Sequence, residues 1–188
     1  QRRATRTPSP RKEQAREKGQ VEEVIPRGRG GEDPYSASKA AADIASQSWI
    51  RSFSKSSMSI ARAGNVIGGG DWAKDRIVPD LIDAYKNKTI LLLRNPQAIR
   101  PWQHVLDCLN GYLCLINKQL SEGIEGEWNF GPNEKSNYKV CDVVEQLNLQ
   151  SNIKVETKTL ESKLQESKIL LLNSQKSIND LNWNNKLN

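Results

Sequence analysis

A helix start at Asp33-Pro34, followed by a long stretch rich in small residues, constrains this chain more than any other feature of it. Asp33 is a capping carboxylate, and proline is tolerated at a first turn because its missing N–H has no partner there anyway. The pattern predicts a helix over 34–54. Ala40, Ala41, Ile44, Ala45, Trp49 and Phe53 form an apolar surface on it, and the many Ala and Ser residues suit close packing on a sheet. Near its start stand Tyr35 and Lys39, four residues apart and therefore on one helix face. A free phenol loses its proton only near pH ~10, too high for a base at neutral pH. A neighbouring ammonium and a cationic nicotinamide both favour the phenolate. The pair is thus suited to hydride-transfer chemistry, with the lysine also in reach of a nicotinamide ribose. Tyr and Lys recur at this spacing on solvated helix faces, so the spacing alone is a weak signal.

Downstream, strand and helix patterns alternate. Strands are expected over 59–63, 89–93, 100–104, 128–130, 153–156 and 169–172. Helices are expected over 77–86, 105–120, 140–147 and 174–181, with a loop over 64–72. In the helix over 105–120, Leu106, Leu109, Leu113 and Ile116 are expected to face inward. The alternation argues for an α/β fold.

Hydrophobic content is 36%, below the ~45–50% usual for globular domains, and the deficit lies at the ends. Residues 1–30 hold nine Arg or Lys and four Glu, which accounts for +5 of the net charge of +6. Residues 1–31 read as a disordered basic lead-in, with non-native sequence from a shifted frame or a fusion as the second reading. A basic tail can bind nucleic acid or an anionic membrane, but this one lacks interleaved aromatics and any zinc or helix-turn-helix pattern. No apolar run reaches the length of a membrane span, and no hydrophobic signal core opens the chain. Cys108, Cys114 and Cys141 form no CxxC pair and read as reduced, mostly buried thiols of a cytoplasmic protein. No His/Cys/Asp cluster has metal-ligand spacing, so no metal is implied.

Several blocks carry chemistry. Arg94, Arg100 and Arg76 fall at loop or strand ends, where a diphosphate needs bidentate cations. Each of them, taken alone, reads more readily as a surface charge or a partner of Asp71, Asp75 or Asp107. Asn65 follows a strand at the end where open α/β sheets bind ligands, and is otherwise a turn residue. Gly68-Gly69-Gly70 lacks the strand–GxGxxG–helix setting of a dinucleotide fingerprint and reads as a bend that brings backbone close to a ligand. Gly28-Arg29-Gly30-Gly31 also fails that test, because no strand precedes it. Trp72 and Trp102 are cleft candidates, whereas Trp128 and Trp183 read as packed. His104, the only histidine, reads as a packed or capping residue, and Asp107 as a group that fixes Trp102 or local backbone.

Residues 32–42, EDPYSASKAAA, resemble the active-site helix of extended short-chain dehydrogenase/reductases that act on nucleotide sugars. More specific are Ala61–Trp72 (ARAGNVIGGGDW), Asp75–Asp80 (DRIVPD), Leu93–Asp107 (LRNPQAIRPWQHVLD) and Trp128–Pro132 (WNFGP), in that order. Together they resemble the CDP-glucose 4,6-dehydratase group of the NAD-dependent epimerase/dehydratases, over about residues 32–188. Another nucleotide-sugar epimerase or dehydratase, and a non-catalytic remnant with a nucleic-acid-binding tail, are the alternatives.

The resemblance implies the C-terminal part of a Rossmann-type enzyme: an active-site helix over 34–54 and a substrate-binding portion from about residue 64. It implies Tyr35 and Lys39 as catalytic and NAD-contacting residues, and Asn65, Arg76, Arg94, Arg100 and Trp102 as substrate contacts. It further implies CDP-glucose as substrate, a cytoplasmic homodimer for the full-length enzyme, and a role in surface-polysaccharide biosynthesis. In that family the Tyr takes the proton of the sugar 4-hydroxyl as hydride leaves for NAD. The 4-keto group then acidifies C5, water leaves from C6, and the hydride returns to C6. The half with GxxGxxG, and the segment with the acid and base of elimination, would precede Tyr35 and have no counterpart in residues 1–30. After Leu181-Asn182-Trp183 the family continues with another helix. The 188-residue chain alone is therefore expected to be poorly stable and to give no turnover of CDP-glucose with added NAD. Robust product formation in that assay would overturn the expectation.

Overall fold

The computed structural model describes residues 34–53, 57–133, 137–152, 154–160 and 168–187. The basic lead-in over 1–31, with Gly28–Gly31, and the capping Asp33 lie outside them. The first helix, α1 (Pro34–Phe53), is followed by β1 (Ser59–Ala63) and β2 (Asn65–Ile67). Then come α2 (Ile77–Asn87), β3 (Leu91–Leu93), β4 (Ile99–His104), α3 (Val105–Glu122) and β5 (Gly126–Phe130). The chain continues with β6 (Asn137–Lys139), α4 (Val140–Ser151), β7 (Thr157–Thr159) and α5 (Gln175–Leu181). The expected α/β alternation is present.

Among the described residues the strands form three small ribbons. β1 pairs in parallel with β5, from Ser59 opposite Gly126 to Ala63 opposite Phe130. After one residue, Gly64, the chain changes partner: β2 pairs in parallel with β4, Asn65 lying opposite Trp102. β4 also pairs antiparallel with β6, and β3 pairs in parallel with β7. The change of partner demands glycine, because a Cβ on Gly64 would stand 2.6 Å from the carbonyl oxygen of Pro101. The Gly64 N–H donates to the Phe130 carbonyl at 3.3 Å, and the buried Gln103 amide donates to the same oxygen at 2.8 Å.

Two apolar cores result among the described residues. One joins α2 and α4 to β3 through Leu81, Ala84, Leu91, Leu93 and Val144, with Val155. The other joins α3, α5 and β5 through Leu115, Trp128, Phe130, Leu181 and Trp183. Phe130 is its hub, edge-on to Tyr112 at 5.5 Å and to Trp183 at 5.2 Å between centroids. Trp128 and Trp183 are thus packed, as their sequence context suggests.

Some elements depart from the sequence expectations. Leu106, Leu109, Leu113 and Ile116 do not face inward; all four are exposed. α3 has two apolar stripes, and the other one, with Cys108, Gly111 and Leu115, is buried. Sterics decide between them: Gly111 lets Phe130 approach so closely that a Cβ there would stand 2.4 Å from its ring. On α1 only Ala40 is buried, while Ile44, Trp49 and Phe53 are exposed. The segment expected as a loop over 64–72 contains β2. The strand expected over 153–156 lies at 157–159, and residue 153 itself falls outside the described residues. The 169–172 strand reduces to a bridge between Ile169 and Ile99.

Gly64→Ala should lower stability by about 1–3 kcal/mol, the range for overpacking, since the obstacle is backbone. Leu113→Ser on the exposed stripe should stay within about 0.5 kcal/mol of the parent. Urea unfolding of both variants measures the contrast.

Candidate functional site

The ribbon of β2, β4 and β6 forms one wall of a cleft of about 510 Å³. Strand geometry explains who faces it. Successive side chains alternate between faces, so Pro101 and Gln103 of β4 are buried while Arg100 and Trp102 lie on the other side and line the cleft. Register places Asn65 opposite Trp102. Arg94 enters from the turn after β3, and Arg76 sits at the N-cap of α2, whose first turn also lines the cleft. The fold therefore gathers Asn65, Arg76, Arg94, Arg100 and Trp102 around one cavity, although they are scattered over 38 positions of sequence.

The contacts differ in strength. Trp102 is fixed by its indole N–H, which donates to the Tyr138 carbonyl at 3.0 Å. Arg100 donates to the Ile99 carbonyl at 3.0 Å. Arg94 lies 3.8 Å from Asp75, both side chains well exposed, an ion pair of small energetic weight. Burial pushes the Asp80 carboxyl above its ordinary value, and the charges of Asp75 and Asp83 push the same way, against a backbone hydrogen bond from Asp75 and the charge of Arg94. The cleft thus holds cations and carboxylates together with apolar side chains such as Ile67 and Leu93.

Other singled-out residues find clear places. His104 caps α3, its Nδ1 accepting the Leu106 N–H at 3.1 Å. Asp107 fixes backbone, but not that of Trp102: its carboxylate accepts the N–H groups of Lys186 and Leu187, and its carbonyl accepts the Trp183 indole. Gly68 follows β2 and lies so close to Val105 that a Cβ would stand 2.4 Å from it; its role is packing at the cleft edge. Trp72 is exposed and does not line the cleft; the Lys86 ammonium lies 5.3 Å from its ring. The three cysteines are free, Cys108 buried and Cys114 and Cys141 partly so.

Tyr35 and Lys39 are on α1, outside the cleft lining. Tyr35 is 69% exposed, and the Lys39 ammonium stands 5.5 Å from the centre of its ring. By contrast burial pushes the Tyr112 phenol far above its ordinary value, with Cys108 adding to the shift. The exposed phenol and ammonium are a donor set that fits the ribose and ring end of a nicotinamide cofactor. Among the described residues no strand–glycine turn–helix is placed to hold its pyrophosphate. The ion-pair network that ties α1 to β1 and β5, centred on Arg62, had no warning in the sequence. Arg62 and Asp43 lie 19 positions apart, and only the packed helix brings them together.

A profile of the NAD dependent epimerase/dehydratase family matches residues 13–131. The chain belongs to the NAD dependent epimerase/dehydratase family. The match begins inside the basic lead-in. Among curated relatives, the CDP-glucose 4,6-dehydratase of Salmonella typhimurium is 42% identical over 129 residues, 63% of this chain and 36% of that enzyme. The dTDP-glucose 4,6-dehydratase of Neisseria gonorrhoeae is 31% identical over 120 residues, 61% of this chain and 33% of that enzyme. The chain thus spans about a third of the length of these relatives. The dTDP-glucose 4,6-dehydratase of Bacillus anthracis in complex with NAD superposes with a TM-score of 0.71 at 20% identity, over 88% of this chain and 51% of that one. The UDP-glucuronic acid 4-epimerase of Bacillus cereus, with UDP-glucuronic acid and NAD, gives 0.73 at 18%, over 83% and 48%. At these identities the likeness shows the fold, which is of the Rossmann type. NAD is the family's cofactor.

A raised value for Asp80 means that the folded chain holds this proton more tightly than the unfolded one. The resulting stabilisation is present below the ordinary value of about 4 and is lost as pH rises through the folded value. Asp80→Asn should therefore raise the urea midpoint at pH 7, and the two proteins should converge near pH ~3, below both values.

Proposed function

We propose that this chain is the active-site helix and substrate-binding portion of a CDP-glucose 4,6-dehydratase, a cytoplasmic NAD-dependent lyase. The observation that carries the reading is the single cleft that brings together Asn65, Arg76, Arg94, Arg100 and Trp102. Its volume is in the range of small-ligand sites. The arginines that line it suit a diphosphate, which takes paired N–H donors from a planar guanidinium. Asn65, opposite Trp102 on the neighbouring strand, suits the sugar-phosphate portion. The 42% identity to an enzyme named for CDP-glucose favours cytidine over the other nucleotides.

In this reading Tyr35 accepts the proton of the sugar 4-hydroxyl, and the Lys39 ammonium beside it favours the phenolate and bonds the nicotinamide ribose. NAD, when bound, accepts and later returns a hydride. Arg94 and Arg100 hold the diphosphate and so place the sugar relative to α1. A homodimer of the full-length enzyme and a role in polysaccharide biosynthesis belong to the same reading. The alternative within the family is another nucleotide-sugar epimerase or dehydratase.

Calorimetric titration with CDP-, dTDP- and UDP-glucose tests the assignment. CDP-glucose should bind best. Arg100→Ala should weaken it by about 1.5–3 kcal/mol, roughly 10- to 150-fold, as for a charge-assisted hydrogen bond. In a full-length version Tyr35→Phe should abolish turnover and spare CDP-glucose binding. Equal binding of all three sugars, or turnover that survives Tyr35→Phe, would reject the reading.

A further inference from the structure

Lys39 has a charged or aromatic neighbour one turn to either side. Tyr35 stands four residues before it and Asp43 four residues after, so both share its helix face. A carboxylate four residues from a lysine attracts the ammonium, which would draw Lys39 away from the phenol. The structure shows the opposite outcome: the ammonium lies 5.5 Å from the centre of the Tyr35 ring. Asp43 is engaged elsewhere. Arg62 of β1 donates from Nε to its Oδ1 at 2.9 Å and from Nη2 to its Oδ2 at 3.0 Å. Gln47, one turn further along α1, donates to Oδ2 at 2.8 Å. The Asp43 side chain is only 10% exposed and that of Arg62 only 18%. Glu127 of β5 takes a third bond from Arg62, at 2.8 Å, and holds the guanidinium in place.

We propose that Arg62 is a positioning residue for the Tyr35–Lys39 pair: by occupying both carboxylate oxygens of Asp43 it leaves the Lys39 ammonium to Tyr35. A bidentate guanidinium suits this task, since it covers both oxygens at once and keeps its charge when buried. The role rests on the reading of Tyr35 and Lys39 as the base pair, but the placement of Lys39 can be measured without turnover.

The experiment is NMR of the 188-residue chain with labelled lysine. An ammonium held over a ring has ε-methylene protons displaced by the ring current. The Lys39 signal is assigned by its loss in Lys39→Arg and the displacement by its loss in Tyr35→Leu. Arg62→Met and Asp43→Asn break the same clamp, yet opposite results are expected. Arg62→Met frees Asp43 to capture Lys39, and the displacement is lost. Asp43→Asn removes the competitor, and the displacement stays. The double variant Arg62→Met/Asp43→Asn restores it. If both single variants lose the displacement, or neither does, the clamp is structural only and the proposal is overturned. Should Arg62→Met fail to fold, Arg62→Lys decides, since an ammonium keeps the charge but cannot cover both Asp43 oxygens: displacement lost supports the proposal, displacement retained rejects it. A normal result here with turnover surviving Tyr35→Phe in the full-length enzyme would reject the base assignment and leave the charge partition standing.

Discussion

The close passage of Gly64 beneath Pro101 is the constraint on which the rest of this structure depends. Up to Ala63 the chain pairs with β5; from Asn65 it pairs with β4. One residue without a side chain makes that change possible, because the space a Cβ would need is filled by a backbone carbonyl. The Phe130 carbonyl seals the junction by accepting from both the Gly64 N–H and the Gln103 amide. A buried carbonyl with two donors is fully satisfied, so the crossing leaves no unpaired group at that oxygen.

The crossing also sorts the chemistry. Arg62, on the near side, reaches α1 and holds Asp43. Asn65, on the far side, lines the cleft with Arg100 and Trp102. The helix that bears Tyr35 and Lys39 and the cavity that gathers the arginines are thus attached to neighbouring residues of one strand path. Phe130 links this path to the second core through Tyr112 and Trp183. Trp183 in turn donates to the Asp107 carbonyl, while the Asp107 carboxylate holds the backbone of Lys186 and Leu187.

Much of this was legible beforehand. Helix and strand periods located most elements, because apolar spacing at 3.6 or 2 reports which residues share a face. The blocks around Asn65, Arg94 and Arg100 all contribute residues to one cleft. The helix over 105–120 failed differently: its spacing identified an apolar stripe but not the buried one, since periodicity does not tell two stripes apart. Only the fit of Gly111 against Phe130 does. β6 escaped because its three residues carry no periodic signal and exist as a strand only by pairing with β4.

The sequence by itself determined the α/β alternation, the helix carrying Tyr35 and Lys39, and membership in the NAD dependent epimerase/dehydratase family, because these follow from local spacing and from motifs of consecutive residues. Tertiary structure alone decided that five scattered residues share one cleft, which stripe of α3 is buried, and that Arg62 rather than Lys39 partners Asp43. Those outcomes depend on which segments pack together, and steric fit and charge pairing between distant positions leave no periodic trace in the chain.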